Sequence, residues 1–388
     1  MRLSGNKKTI NQFIALTGVL IFIGLISLSS ASGPAAYERF GDSFYMIKHQ
    51  IFFGLIPGII GFIAFSRIQY HVWRKYAFQL LLFSVFLLFL VFIPGFRAEF
   101  GTSRSWATFL GLFSFQPAEI VKLTFLFYLA AWLEGRGERN VRTLGSGLLP
   151  FLSSLGLIML LIFLQPDVGT MTIIAAMAFS VYFVAGASIN HIAAIGAAGL
   201  AFLFLAIKTS SYRTARFVTF LHPELDPQGI GYHINQALLA IGSGGVFGLG
   251  YGHSLQKFAY LPEVFGDSIF AIMAEEYGFV IISAIVALYT AWIFCGVRIA
   301  KEASDKFGTY VVFGIVSWIS IQTIVNICSI LGLLPMTGVP LPFVSYGGSA
   351  LAIAMSGIGV IYNIATTGNT AKLVSSRSML RGKASRMR

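Results

Sequence analysis

Runs of apolar residues, each long enough to span hydrocarbon as a helix, alternate along the whole chain with short polar stretches that carry Lys and Arg. A helix needs about 20 apolar residues to cross roughly 30 Å of lipid, and by that measure about ten segments qualify. They lie near 11–31, 50–66, 77–94, 117–134, 145–165, 168–187, 190–207, 268–297, 308–334 and 347–367. The pattern predicts an all-α, polytopic integral membrane protein with about ten transmembrane helices. If the spans alternate in direction, the N-terminus, the loops Arg67–Lys75, Arg136–Arg142 and Arg298–Lys306, and the tail Lys372–Arg388 share one side, and they hold 18 of the 27 basic residues. The positive-inside rule makes that side, with both termini, cytoplasmic. The other side receives 32–49, 95–116, a tight turn at 165–168, 335–346 and a long extracytoplasmic loop at 208–267.

Composition agrees with a lipid solvent: 56% of the 388 residues are hydrophobic and 11% charged, with a mean hydropathy of +0.79. The net charge of +12 does not point to nucleic acid, because the basic residues sit in short clusters between spans and do not gather on one face. Cys295 and Cys328 lie in apolar stretches, which gives neither a disulfide framework nor a metal-ligand spacing. The first apolar run lacks a small-residue cleavage site and reads as a retained span. Residues 1–367 read as a single transmembrane domain. Residues 368–388 form a basic cytoplasmic tail without an apolar run, expected to be disordered or to rest on anionic headgroups.

Ionisable groups inside such a chain are expensive unless paired or chemically employed, and they mark candidate sites. Pro117 suits a first helical turn, which places Glu119 and Lys122 three residues apart on one face near the outer surface. An intrahelical ion pair is the bland alternative. Asp167, in Gln165-Pro166-Asp167, and Asp267, ahead of the eighth span, could each cap a helix. Glu275 and Glu276 point about 100° apart, so they need different partners. The long loop carries Arg213 and Arg216 at helical spacing, a Gly-rich stretch at 242–245 and Lys257. Its middle, 232–241, reads as an amphipathic segment on the interface, and Ser254 is expected to be open to the outer solvent. Three prolines and three glycines crowd 335–348, backbone that survives at membrane depth only where protein buries it or a polar cavity borders it.

Five stretches, Phe-Gln-Pro-Ala-Glu-Ile-Val-Lys (115–122), Gln-Pro-Asp-Val-Gly-Thr (165–170), Ala-Ile-Gly-Ser-Gly-Gly (240–245), Tyr-Leu-Pro-Glu-x3-Asp (260–267) and Thr-Gly-x2-Leu-Pro-x2-Ser-Tyr-Gly-Gly-Ser (337–349), closely resemble, in order and spacing, the SEDS family of bacterial cell-wall proteins. The resemblance spans nearly the whole chain, and 257–263 looks more like the division-type FtsW than RodA. It implies a multi-pass glycosyltransferase of the bacterial cytoplasmic membrane that polymerises lipid II, with undecaprenyl-pyrophosphate-linked glycan as the other substrate, beside a class B penicillin-binding protein. By position, Asp267 matches the family's essential acid, Glu119 and Lys122 a required pair, and Arg104 and Trp106 an Arg-x-Trp-like segment. The family usually has His and Thr where this chain has Phe265 and Gly266.

Joining an α-linked sugar diphosphate lipid to a 4-hydroxyl with β outcome is an inversion, which needs a base near the hydroxyl and positive charge near the departing pyrophosphate. Asp267 is the expected base. Arg104, Lys122, Arg213, Arg216 and Lys257 are the candidate cations, and Trp106, Glu119, Asp167 and Ser345 complete the candidate substrate-binding set. A divalent cation such as Mg2+ could share the phosphate neutralisation, although no local ligand cluster demands it. Two alternatives come from other classes. A lipid flippase or transporter should depend on Glu275 and Glu276, and a non-catalytic scaffold for the cross-linking enzyme should tolerate loss of every charge.

Overall fold

The computed structural model describes residues 2–93, 95–96, 105–109, 113–209, 211–222 and 229–385. Each expected span is helical: α1 (Arg2–Phe40), α2 (Tyr45–Gln50) running through a π-helical turn into α3 (Ile56–Arg67), α5 (Ala77–Leu90), α6 (Pro117–Val141), α7 (Leu149–Phe163), α8 (Val168–Val184), α9 (Ile189–Lys208), α12 (Ile269–Glu302), α13 (Lys306–Ile330) and α14 (Gly348–Ser385). Six stretches, 7–40, 45–67, 144–163, 269–302, 306–330 and 348–367, are long and apolar enough to cross a membrane by themselves. α6 is long enough but carries charge, while α5 and α8 are shorter apolar helices. A short helix between α3 and α5, α4 (His71–Lys75), completes the first half, and a two-stranded antiparallel ribbon, β1 (Ala107–Phe109) with β2 (Phe113–Phe115), precedes α6.

Two helices, α10 (Ser211–Leu221) and α11 (Ile230–Ser243), occupy part of the long loop. α11 has the amphipathic pattern expected of 232–241, but it packs on α12 and α13 through Ile234, Ala237 and Ala240, with Leu238 and Leu239 exposed. The basic tail also differs from expectation, because the backbone of α14 continues as helix to Ser385. No proline follows Pro342 to stop it, and Lys and Arg near a helix C-terminus are favoured by the macrodipole.

α13 is the central helix, packed by α6, α8, α12 and α14. α3 and α14 approach closely because Gly61 lies against Ser356 and Gly58 against Met355, where a Cβ would collide. Small residues let backbones meet in this way in lipid, where the hydrophobic effect does not drive helices together. The two ends of the bundle are chemically distinct. At one end the basic loops converge: Tyr70 N–H donates to Asn363 Oδ1 at 3.0 Å, Arg74 pairs with Glu134 at 3.1 Å, and Lys306 pairs with Glu138 at 2.6 Å. Burial, with the bonded Asp305 carboxylate, pushes the Tyr70 hydroxyl up to about 12. At the other end the Gln50, Gln116, Asp167, Lys257, Asp267 and 335–347 segments meet.

α12 is not continuous. Gly278 sits at φ 74° and ψ 176°, a backbone region that glycine enters without steric cost. The hydrogen bonds freed there are remade by the Gly-rich stretch: Leu249 and Gly250 N–H donate to the Glu275 and Glu276 carbonyls, each at 3.0 Å, and Phe279 and Val280 N–H donate to the Gly245 and Val246 carbonyls. A broken span is tolerated in a membrane when buried protein re-satisfies its backbone in this manner.

Candidate active site

The Pro-rich segment between α13 and α14 is the hub of the end opposite the basic loops. Prolines have no N–H, so its backbone is held through carbonyls that accept from side chains of its neighbours. Ser329 Oγ donates to the Pro335 carbonyl at 3.1 Å, Asn326 Nδ2 to Val339 at 2.8 Å and Gln322 Nε2 to Pro340 at 2.9 Å. Tyr289 Oη donates to Pro342. Ser345 Oγ accepts from Leu341 N–H at 2.8 Å and its carbonyl accepts from Gln50, so this buried serine fixes the turn.

Asp267 stands where this hub meets α12 and α13. α12 begins at Ile269 with Ser268 at its N-cap position, so Asp267 lies one residue ahead of the cap. Its carbonyl accepts from Asn326 Nδ2 at 2.8 Å. Ser268 Oγ donates to its Oδ1 at 3.4 Å, and its Oδ2 faces the glycine Gly338 across the loop. Phe265, where His is usual in the resembling family, is an apolar anchor: it packs edge-on against Tyr346 at 5.7 Å, with the Arg39 guanidinium 5.9 Å above its ring. Tyr346 is bonded to His49 Nδ1 at 2.9 Å, and burial pushes its hydroxyl up to about 12.

Glu119 and Lys122 do form the ion pair, at 2.7 Å, and both are almost fully buried, 2% and 1% exposed. Lys122 Nζ also donates to Gln322 Oε1 at 2.9 Å and lies 4.9 Å over the Trp318 ring. Because Gln322 turns its Nε2 to Pro340, the pair sets the orientation of an amide that holds the hub. Glu119 Oε2 has no hydrogen-bond partner among the described residues.

Two of the proposed ligands are engaged elsewhere. Asp167 caps α8, Oδ1 accepting from Thr170 N–H at 3.0 Å, while Oδ2 accepts from Gln116 Nε2 at 2.8 Å. Lys257 is buried, and its ammonium donates to Glu276 at 2.9 Å, Ser30 Oγ at 3.0 Å and the Gly252 carbonyl at 2.8 Å. All three donors of an ammonium are then spent. Glu275 is held likewise, by Ser254 Oγ and by Leu255 N–H at 3.0 Å. Ser254 is therefore fully buried, contrary to the expected solvent exposure. Trp106 is half-buried beside β1. Arg213 and Arg216 lie on α10 with their side chains outside the described residues, and Arg104 lies outside them altogether. Among the described residues no group of three Asp, Glu, His or Cys side chains is placed to hold a metal ion.

The sequence reading missed the residues that knit this site together: Gln322 and Asn326 on α13, Gln116, and His233 on α11, whose Nε2 lies 2.6 Å from Ser268 Oγ. Gln322 and Asn326 had a legible signal, two amides four residues apart on one face of an apolar span.

Known proteins share this architecture and sequence. The family model described as cell cycle protein, covering FtsW, RodA and SpoVE, matches residues 11–370. Stage V sporulation protein E of Bacillus subtilis is 40% identical over 351 residues, which cover 90% of this chain and 95% of that protein. A probable peptidoglycan glycosyltransferase FtsW of a Geobacter species is 36% identical, with 90% of this chain and 94% of that one covered. Among solved structures, a chain of a peptidoglycan synthase complex that coordinates polymerization and crosslinking matches with a TM-score of 0.75 at 25% identity, covering 92% of this chain and 97% of that chain. The rod shape determining protein RodA of Thermus thermophilus matches with a TM-score of 0.65 at 25% identity, covering 91% and 95%.

Proposed function

We propose that this chain, which belongs to the FtsW/RodA/SpoVE family, polymerises lipid II with Asp267 as the general base. It is a peptidoglycan glycosyltransferase and a multi-pass membrane protein. The observation that carries the catalytic reading is the placement of Asp267: its backbone is locked by Asn326, its Oδ1 lies beside Ser268, and its Oδ2 faces a residue without a side chain. The acceptor 4-hydroxyl attacks the donor's anomeric carbon in line while its proton passes to the Asp267 carboxylate. The carbon–oxygen bond to the pyrophosphate breaks, its electron pair leaves with undecaprenyl pyrophosphate, and the configuration inverts from α to β. With Lys122 and Lys257 tied into buried pairs, Arg104, Arg213 and Arg216 are the cations for the leaving group, whose phosphate oxygens suit guanidinium forks. Trp106 is assigned to substrate binding with them, while Glu119, Asp167 and Ser345 hold the frame of the site through their own bonds. The transporter reading loses its support, because Glu275 and Glu276 are engaged by the 254–257 turn.

Purified protein given labelled lipid II, with and without a cognate class B penicillin-binding protein, should produce a glycan ladder on a gel. No polymer in either reaction, from folded protein, would refute the function. The protein acts from the cytoplasmic membrane with both termini inside, residues 1–367 forming one transmembrane domain and 368–388 a basic cytoplasmic extension. Leu255, 65% exposed beside the buried Ser254, reports the outer side. In a Cys295→Ala, Cys328→Ala background, Leu255→Cys should react with an impermeant thiol reagent in intact cells and the exposed Ser304→Cys should not. The opposite labelling would invert the orientation.

A further inference from the structure

Where the resembling family carries an imidazole two residues ahead of the acid, this chain carries Phe265, and the fold brings a different imidazole to the acid from another helix. His233 Nε2 lies 2.6 Å from Ser268 Oγ, and Ser268 Oγ lies 3.4 Å from Asp267 Oδ1. A serine hydroxyl has a single hydrogen, and an ionised carboxylate only accepts. If Ser268 donates to Asp267, the proton between His233 and Ser268 belongs to the imidazole. The donor order is then His233 Nε2–H to Ser268 Oγ–H to Asp267 Oδ1. Ser268 is fully buried, and α11 is fixed on α12 by Ile234, Ala237 and Ala240, so the donor end of this chain is anchored.

We propose that His233 is a positioning residue for Asp267, acting through the Ser268 hydroxyl to hold Oδ1 so that Oδ2 is presented to the acceptor hydroxyl. The inference rests on the reading of Asp267 as the base. A base carboxylate held by one donor fewer would spend more of its time misdirected, and misplacement of about 1 Å can cost on the order of 100-fold in rate. His233→Phe keeps the ring and removes the donor, so kcat should fall about 10- to 100-fold with KM for lipid II little changed. His233→Gln, whose amide can donate to the same hydroxyl, should recover most of the loss. Ser268→Ala should match His233→Phe, and the double variant should be no slower than either single one, because the two act in series.

The measurements are lipid II polymerisation rates over a range of substrate concentrations, with thermal melting to follow the fold. A purely structural role for His233 would lower the melting temperature and the yield of active protein without rescue by Gln in proportion to kcat. Wild-type kcat in His233→Phe, or multiplicative losses in the double variant, would overturn the proposal. Asp267→Asn run alongside separates the two readings. An inactive Asp267→Asn with an unimpaired His233→Phe defeats only the positioning role, whereas an active Asp267→Asn defeats the base assignment beneath it.

Discussion

Asp267→Asn is expected to fold, to bind its partner and to lose glycan polymerisation by roughly 100- to 10,000-fold, the usual contribution of a general base. Asn is the informative replacement because it caps helices about as well as Asp, so a capping role would survive the change. The geometry already argues against that role, since Ser268 occupies the N-cap position of α12. One tertiary contact of residue 267 runs from Asn326 Nδ2 to its backbone carbonyl, which the substitution leaves in place. Phe265 stands where the resembling family has His, so the sequence offers no imidazole beside Asp267. The structure corrects this, because His233 is one hydroxyl away. Its Nε2 is already bonded to Ser268, however, so that nitrogen is not placed to take the acceptor's proton. The test is the initial rate of lipid II polymerisation by protein whose melting temperature matches wild type. Near-wild-type polymerisation would remove Asp267 from the chemistry.

The second large effect concerns Lys122 and Glu119. Lys122→Met leaves a carboxylate that is 2% exposed without its cation, and breaking a buried pair by removing one partner typically costs about 3–5 kcal/mol. Glu119 has little to fall back on, because its Oε2 already lacks a partner among the described residues. Gln322 would also lose the ammonium that accompanies Trp318 on its Oε1, loosening the amide that holds Pro340. The single variants Lys122→Met and Glu119→Ala should therefore show sharply lower melting temperatures and yields in detergent. Replacing both charges with neutral groups of similar size is often neutral or stabilising, so Lys122→Met with Glu119→Gln should regain most of the lost stability. Either single variant melting like wild type would refute the buried-pair energetics. A double variant that folds like wild type yet makes no glycan would place Lys122 in the chemistry, whereas one that polymerises would confine the pair to the frame of the site.

Hydropathy and charge distribution by themselves located the apolar segments that the structure folds as helices, six of them long and apolar enough to cross a membrane, because apolar length and Lys/Arg bias are local properties that lipid enforces segment by segment. The ordered motifs led to the family and to Asp267, and the capping alternative for Asp167 was visible in its place before a helix. What the sequence could not show was how distant segments satisfy one another. Gly278 looks ordinary and the Gly-rich stretch at 242–245 stands out without a partner in view, and only packing shows that the first breaks α12 and that residues 245–250 restore its hydrogen bonds. Lys257 was legible as a cation in an outer loop, but the tertiary structure decided that it is buried between Ser30 and Glu276, partners 227 and 19 residues away. The same holds for His233 and Asp267, which share a site because α11 folds onto the start of α12. Burial makes each unpaired polar group costly, so the fold pairs groups by proximity in space, and sequence separation carries no information about which will meet.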